Sequence, residues 1–205
     1  YTQTLPNPTS ILPFGPGSDS LAYRAYDDTV HTVENIGIAA WTLNSSLVRT
    51  GTIPGVGFGT FAVSNDFNSC LYFADTTNGF VRKVDTANTV TSIAVTAINL
   101  TPKSVCMAVD PVSGYVWVLA LAGATPIKRI HPATNVVTSH AAPVITDQPA
   151  GITYYPGDGT PGTDRMFISF TTGAKIASYN MNGTIDNGSF YAAGGSAILY
   201  STVYN

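Results

Sequence analysis

Residues 71–95, LYFADTTNGFVRKVDTANTVTSIAV, read as three short β-strands separated by two turns. Asn78-Gly79 tolerates the positive φ that a tight hairpin needs, and Asp85 begins the second turn. About forty-six residues later, residues 116–142, VWVLALAGATPIKRIHPATNVVTSHAA, repeat the same pattern. A repeat of this length predicts an architecture built from successive similar units.

Two columns of residues define the register of the repeat. The first column contains Ile38, Val81, Ile127 and Ile176, and the second, three residues further on, contains Trp41, Val84, Ile130 and Tyr179. Both columns advance by 43, 46 and then 49 residues. We expect them to occupy equivalent positions in the third strand of four units.

Four strands in each unit predict an all-β fold, a β-propeller of four to five four-stranded blades. The predicted blades span about 19–56, 57–101, 102–147 and 148–193. Residues 1–18 are an N-terminal extension or a closing strand, and 194–205 are a C-terminal closing or exchanged strand. Three arrangements are consistent with this count. The ring has four blades with terminal extensions, or it is an irregular five-bladed ring, or the sequence is part of a longer chain. The last strand either closes the ring or pairs with a neighbouring subunit.

LYFADTTNGFVRKVDTANTVT and AVDPVSGYVWVLALAGATPIKRIHPATNVVT resemble NHL-type or YVTN-type propeller repeats. In those families an Ala-Asp second strand leads to a third strand and turn of the form I/V-x-K/R-I/V-D-P-A-T. The match extends best over residues 60–142 and continues over 150–190. The resemblance implies the fold. It implies no fixed activity, because such propellers serve as binding, surface-layer and enzyme scaffolds.

Charge is scarce in this chain of 205 residues. Asp, Glu, Lys and Arg make up 10% of it, and the formal net charge is −3. Nucleic-acid binding depends on clustered Lys and Arg, which the sequence lacks, so nucleic acid is not an expected partner. No run of eighteen apolar residues is present, so no transmembrane segment is expected.

Several features predict an exported glycoprotein located outside the cell, at a cell surface or at a virion surface. The chain begins with Tyr1 instead of Met, and its surface composition is poor in charge and rich in hydroxyls. It also contains four glycosylation sequons, at Asn44, Asn99, Asn182 and Asn187.

The sequence offers little for catalysis. His31, His131 and His140 have no metal-ligand spacing, Glu34 is the only glutamate, and no G-x-S-x-G motif occurs. We therefore expect no enzyme activity, no catalytic residue and no cofactor. Asp158 and Asp164, in the segment YPGDGTPGTD, are weak calcium candidates, the alternative being a plain hairpin loop.

Two cysteines and two tyrosines are further candidate site residues. Cys70 and Cys106 form either a disulfide or two separate buried thiols. Tyr200 and Tyr204, in the predicted terminal strand, are candidate interface residues.

These observations favour a non-catalytic module for recognition, adhesion or assembly. Its partners would be proteins or identical subunits, bound through loops and terminal strands. The alternative is a lectin-like propeller that binds glycans in pockets between blades. A propeller hydrolase or lyase is the third hypothesis.

Overall fold

The computed structural model describes residues 20–33, 39–43, 49–54, 59–75, 78–96, 98, 106–121, 123–172 and 175–192. The strands are β1 (Ser20–Arg24), β2 (Thr29–Val33), β3 (Ala39–Leu43), β4 (Arg49–Pro54), β5 (Gly59–Asn65), β6 (Cys70–Asp75), β7 (Phe80–Val84), β8 (Val90–Ala94), β9 (Met107–Val109), β10 (Val116–Leu119), β11 (Ile127–Ile130), β12 (Val137–His140), β13 (Pro149–Tyr155), β14 (Arg165–Phe170), β15 (Lys175–Asn180) and β16 (Ile185–Ala192). In these ranges we find no helix that could cross a membrane.

The strands form four antiparallel sheets, each made of four consecutive strands. Blade 1 contains β1–β4, blade 2 β5–β8, blade 3 β9–β12 and blade 4 β13–β16. The first strands β1, β5, β9 and β13 pack beside one another in chain order. The predicted fold class, an all-β propeller, is confirmed, with four blades in the described residues.

The loop between the first and second strands sets the register within each blade. In blades 1 and 2 it spans four residues, and its last residue has a positive φ of 53° at Asp28 and 54° at Ser69. In blade 3 the Asp110 amide donates to the Tyr115 carbonyl, and the four residues between this pair end at Gly114, with a φ of 72°. In blade 4 the ladder resumes only with Tyr155 opposite Arg165, so residues 156–164 form a longer loop. Counting from this hairpin aligns the four blades residue by residue.

The alignment tests the predicted third-strand columns. In blades 2, 3 and 4 the first column occupies one ladder position, with Val81 opposite Ala74, Ile127 opposite Leu119 and Ile176 opposite Ser169. In blade 1 that position belongs to Ala40, opposite Val33, and the second column falls on Leu43 instead of Trp41. The prediction was therefore wrong by two residues in blade 1, where Ile38 lies outside the described residues. A shift of two keeps every side chain on its original face, so apolar alternation could not detect it.

The second strand of each inner blade is buried on both faces. In β6, Leu71 and Phe73 pack toward Ala22 of blade 1, whereas Tyr72 and Ala74 belong to the core cluster that continues into blades 3 and 4. These four side chains are fully buried. Such two-sided burial explains why the strand sequence is nearly continuously apolar.

One face of blade 4 is not covered in this way. Phe167 is equivalent to Tyr72 and Trp117, which are fully buried by the following blade, yet it is only partly buried. Its ring makes edge-to-face contacts with Tyr155 at 5.8 Å and Phe190 at 5.0 Å, and both partners are exposed. We call these three residues the outer aromatic face.

The two cysteines are separate, buried, free thiols, so the possible disulfide is not formed. Cys70 begins β6, at the edge of blade 2 that carries the first hairpin. Cys106 precedes β9, and its carbonyl accepts a bond from Leu119 near the opposite edge of blade 3. Tyr200 and Tyr204, with both predicted terminal strands, lie outside the described residues.

Candidate binding site between blades 3 and 4

Hydrogen bonds close the interface between blades 1 and 2. The buried Arg24, the last residue of β1, donates from Nη1 to the Asp85 carbonyl at 3.1 Å and from Nη2 to Asn88 Oδ1 at 3.3 Å. Arg24 also forms an ion pair with Asp27 in its own loop. Its charge is thus engaged both by Asp27 of its own loop and by the turn between the third and fourth strands of the next blade.

The interface between blades 2 and 3 is closed at the same edge by different side chains. Lys83 Nζ donates to the Pro132 carbonyl at 2.6 Å and to Asn135 Oδ1 at 3.2 Å. Asn65, equivalent to Arg24, donates from Nδ2 to the Gly114 carbonyl at 2.7 Å. All three bonds again reach loops of the following blade.

The interface between blades 3 and 4 lacks these bonds at this edge, although the Tyr179 hydroxyl donates to the Ala141 carbonyl, just after β12, at 3.1 Å. Asp110 replaces Asn65, and its carboxylate accepts from the Val112 and Ser113 amides at 2.9 and 3.3 Å and from the Ser113 hydroxyl. Arg129 replaces Lys83, but its guanidinium makes no hydrogen bond with any described residue. A pocket of about 550 Å³ opens there, lined by residues of both blades.

The pocket lining combines polar groups with an aromatic ring. Blade 3 contributes Asp110, Ser113, Tyr115 and Arg129, and blade 4 contributes Asp164, Asn180 and Asn182, among other residues. Amide, carboxylate and hydroxyl groups of this kind donate to and accept from ligand hydroxyls. The lining therefore places these hydrogen-bonding groups within a surface that is mostly apolar.

Arg129 is the most unusual group of the pocket. Its residue is only 8% exposed, its Nε is buried without a hydrogen-bond partner, and no carboxylate of the described residues forms an ion pair with it. Its guanidinium carbon lies 4.1 Å from the Tyr115 ring centroid and 5.0 Å from that of Trp117. Burial lowers the pKa of Arg129. Cation–π contacts stabilise the guanidinium but do not replace hydrogen bonds.

His140 and Gly183 pack against each other next to the pocket residue Asn182. The His140 ring stacks on Trp117 with 6.2 Å between centroids. Gly183 has a φ of 90°, and a Cβ at this position would lie 2.2 Å from the His140 ring. Only glycine therefore lets the turn that carries Asn182 pack directly on this ring.

The three histidines do not form a catalytic group. His31 is buried in blade 1 and bonds with Thr29 Oγ1 at 2.6 Å. His131 accepts bonds from the Ala133 and Thr134 amides in its own turn, and His140 lies at the other end of the β11–β12 ladder. Among the described residues, no three metal-ligating side chains come together.

The two calcium candidates occupy different surroundings. Asp158 is exposed, and its Oδ1 accepts from the Thr160 amide and the Thr163 hydroxyl, both at 2.9 Å, which lowers its pKa. Asp158 therefore caps the long hairpin loop. Asp164 is half-buried and lines the pocket.

Two of the four sequon asparagines lie in described residues. The side chains of Asn182 and Asn187 are exposed, the first at the pocket rim and the second in β16. Asn44 and Asn99 lie outside the described residues. A sugar on Asn182 would occupy the pocket entrance.

Sequence reasoning missed Arg129 as a site residue and did not place Asp110 in a pocket between blades. A comparison between blades could have identified both residues. Lys83 and Asn65 bond across the interface that follows blade 2, and in blade 3 they are replaced by Arg129 and Asp110, which differ from them in shape or charge.

Solved structures similar to this chain share the propeller-type fold. A virginiamycin B lyase from Staphylococcus aureus matches with a TM-score of 0.65 and 17% identity over 89% of this chain and 58% of its own. The hydrazine synthase of Kuenenia stuttgartiensis matches with a TM-score of 0.66 and 12% identity, covering 91% and 51%. An auxiliary nutrient binding protein from Bacteroides thetaiotaomicron matches with a TM-score of 0.57 and 15% identity, covering 82% and 46%.

This chain spans about half the length of the solved structures that it resembles. Identities at this level support the fold alone, and the three proteins differ in what their names describe. Neither family models nor curated proteins give a match to the sequence.

Proposed function

We propose that the protein is a non-catalytic recognition module that binds a hydroxyl-rich ligand, a saccharide, between blades 3 and 4. The observation that carries the proposal is the contrast between interfaces. Two are closed by bonds from Arg24 and Lys83, whereas the third opens into a pocket lined by Asp110, Tyr115 and Asn182. Planar polar side chains beside an aromatic ring offer both hydrogen bonds and a stacking surface to a sugar.

The non-catalytic part of the proposal is supported by the separation of the histidines. A general acid and base must lie within hydrogen-bond reach of the same reacting group. His31 and His131 are engaged in their own blades by Thr29 and by turn amides. The blade pattern itself agrees with the resemblance to NHL-type repeats.

The test is a titration of ¹⁵N-labelled protein, produced without glycosylation, with neutral and acidic oligosaccharides. We expect amide shifts concentrated at Ser113, Tyr115 and Asn182. Asn182→Ala should weaken binding about tenfold, the scale of one lost hydrogen bond in a buried contact. Asn187→Ala is the matched control, since it removes an exposed sequon asparagine of the same blade outside the pocket. Shifts scattered over other blades, or none with any saccharide, would refute the proposal.

We also propose that the protein is exported and functions at an exposed surface. Asn187 is accessible to glycosylation, whereas ligand access requires an unmodified Asn182. Mass spectrometry of natively sourced protein should find sugar on Asn187 and a free Asn182. A fully unmodified native protein would contradict the glycoprotein hypothesis.

A second candidate function, assembly, is favoured by the outer aromatic face. The equivalent faces of blades 2 and 3 receive the next blade, so this face of blade 4 is shaped to receive another blade of the same type. We propose that blade 1 of a second copy occupies it, which would join copies head to tail. Phe190→Asp should then reduce the assembly size measured by light scattering, while Val136→Asp, at an exposed position of blade 3, should not. A wild-type protein that is monomeric at all concentrations would exclude this candidate.

A further inference from the structure

We infer that the ligand of the pocket carries a carboxylate, which pairs with Arg129; this inference rests on the proposed saccharide site. Lys83 and Arg129 are cations at equivalent positions of blades 2 and 3. Lys83 has two oxygen acceptors in the next blade, within 2.6 and 3.2 Å. Arg129 has no such acceptor among the described residues, although only 8% of the residue is exposed.

A buried cation without a partner is costly, because its lost hydration is not replaced. Other interfaces of this protein avoid that cost, with Arg24 bonded to Asp27, Asp85 and Asn88. At Arg129 the missing acceptor has space to enter, since the side chain lines the pocket. An anionic oxygen group of the ligand would supply it.

Stacking fixes how the guanidinium is presented. The guanidinium carbon lies 4.1 Å from the Tyr115 ring centroid and 5.0 Å from that of Trp117, and Nε is buried. The terminal nitrogens are therefore the part that a ligand can reach. Two parallel N–H donors in one plane match the two oxygens of a carboxylate, which gives a bidentate pair.

Two neighbouring carboxylates define the rest of the ligand. Asp110 and Asp164 also line the pocket, and they would repel a ligand that is anionic throughout. They accept bonds from hydroxyls, as does the Asn180 side-chain oxygen, whereas Asn182 Oδ1 already accepts from the Thr184 amide at 2.9 Å and the Thr184 hydroxyl at 2.7 Å. A ligand with one acid group among several hydroxyls is a uronic acid residue. The two carboxylates would disfavour binding of a highly sulfated polymer.

The experiment measures chemical shift titrations with methyl glucuronide, methyl glucoside, glucose 6-sulfate and acetate. Wild-type protein should bind the glucuronide about tenfold more tightly than the glucoside, in line with one charge-assisted pair. Arg129→Gln keeps the stacking surface and should abolish that preference. Lys83→Gln, the equivalent residue one blade earlier, should preserve it. The dispersed amide spectrum of each variant reports that it is folded.

The outcomes separate this inference from the proposed function. Equal binding of glucuronide and glucoside, unchanged in Arg129→Gln, overturns the carboxylate and leaves the saccharide site standing. Shifts with acetate that depend on Arg129, without shifts from any sugar, support the anion site and overturn the saccharide function. Tighter binding of glucose 6-sulfate than of the glucuronide overturns the assignment of a carboxylate.

Discussion

Lys83 and Arg129 occupy the same third-strand position in successive blades, but only Lys83 bonds to the blade that follows. The Lys83 ammonium reaches the Pro132 carbonyl at 2.6 Å, whereas the Arg129 guanidinium stacks on Tyr115 and Trp117. The first arrangement stabilises an interface. The second leaves a buried charge available, which is typical of a residue retained for binding at some cost in stability.

Substitutions at these two positions should therefore have opposite effects on stability. Lys83→Met removes two charge-assisted bonds and should lower the free energy of unfolding by about 1–2 kcal/mol. Arg129→Met replaces an unpaired buried charge with an apolar side chain and should leave the free energy unchanged or raise it. Urea denaturation at pH 7 measures both. A loss above about 1 kcal/mol in Arg129→Met would identify Arg129 as a structural residue.

Gly183 provides a test of the packing between the turn of blade 4 and His140. Gly183→Ala adds a Cβ where φ is 90° and the His140 ring is 2.2 Å away, so it should cost about 2 kcal/mol or more. Gly159→Ala is the matched control, because φ is 85° there but nothing lies within 4 Å of the added Cβ. It should cost about 1 kcal/mol from backbone strain alone. Equal losses in the two variants would show that the contact with His140 is unimportant.

The blade pattern could be predicted because its determinants are local. Asn78-Gly79 marks a hairpin wherever it occurs between apolar strands, and Gly79 indeed has a φ of 71°. The register of blade 1 could not be fixed, since a shift from Trp41 to Leu43 preserves the alternation of faces.

The candidate site could not be predicted from local pattern. The pocket is lined both by Arg129 and by Asn182, which lies in a turn about fifty residues later in the chain. In the sequence, the change from Lys83 to Arg129 looks conservative, yet an ammonium and a stacked planar guanidinium bond differently. Only the contacts between blades reveal the difference.

His31 should make stability depend on pH. Burial, reinforced by the nearby Arg24 charge and opposed by Asp27, lowers its pKa from 6.5 to about 4. Below pH 6.5 the unfolded chain then binds a proton that the folded chain does not, so stability falls as the pH drops from 6.5 toward 4. The loss should be about 2 kcal/mol.

Urea denaturation between pH 7 and pH 4 measures this contribution as the difference between wild type and His31→Gln. The variant should lose less stability over that range. Parallel pH profiles for wild type and His31→Gln would show that His31 does not titrate as its burial indicates.

The last prediction concerns the buried ion pair of blade 2. Asp75 is fully buried and accepts from the Asn78 amide at 3.1 Å and from Arg82 Nη2 at 2.7 Å. Asp75→Ala removes the partner of a mostly buried guanidinium and should lower the free energy of unfolding by about 3 kcal/mol. Arg82→Ala leaves the carboxylate bonded to Asn78 and should cost less.

The equivalent positions of blade 4 show that the pair is dispensable to the fold. They are held by Phe170 and Ala177, two fully buried apolar side chains. A double variant, Asp75→Phe with Arg82→Ala, should therefore be more stable than Asp75→Ala alone, because no charge remains unpaired. Chemical denaturation of Asp75→Ala, Arg82→Ala and the double variant Asp75→Ala with Arg82→Ala completes a double-mutant cycle, with an expected coupling of about 1–3 kcal/mol. Strictly additive losses would show that Asp75 acts through the Asn78 turn alone and that its contact with Arg82 contributes nothing.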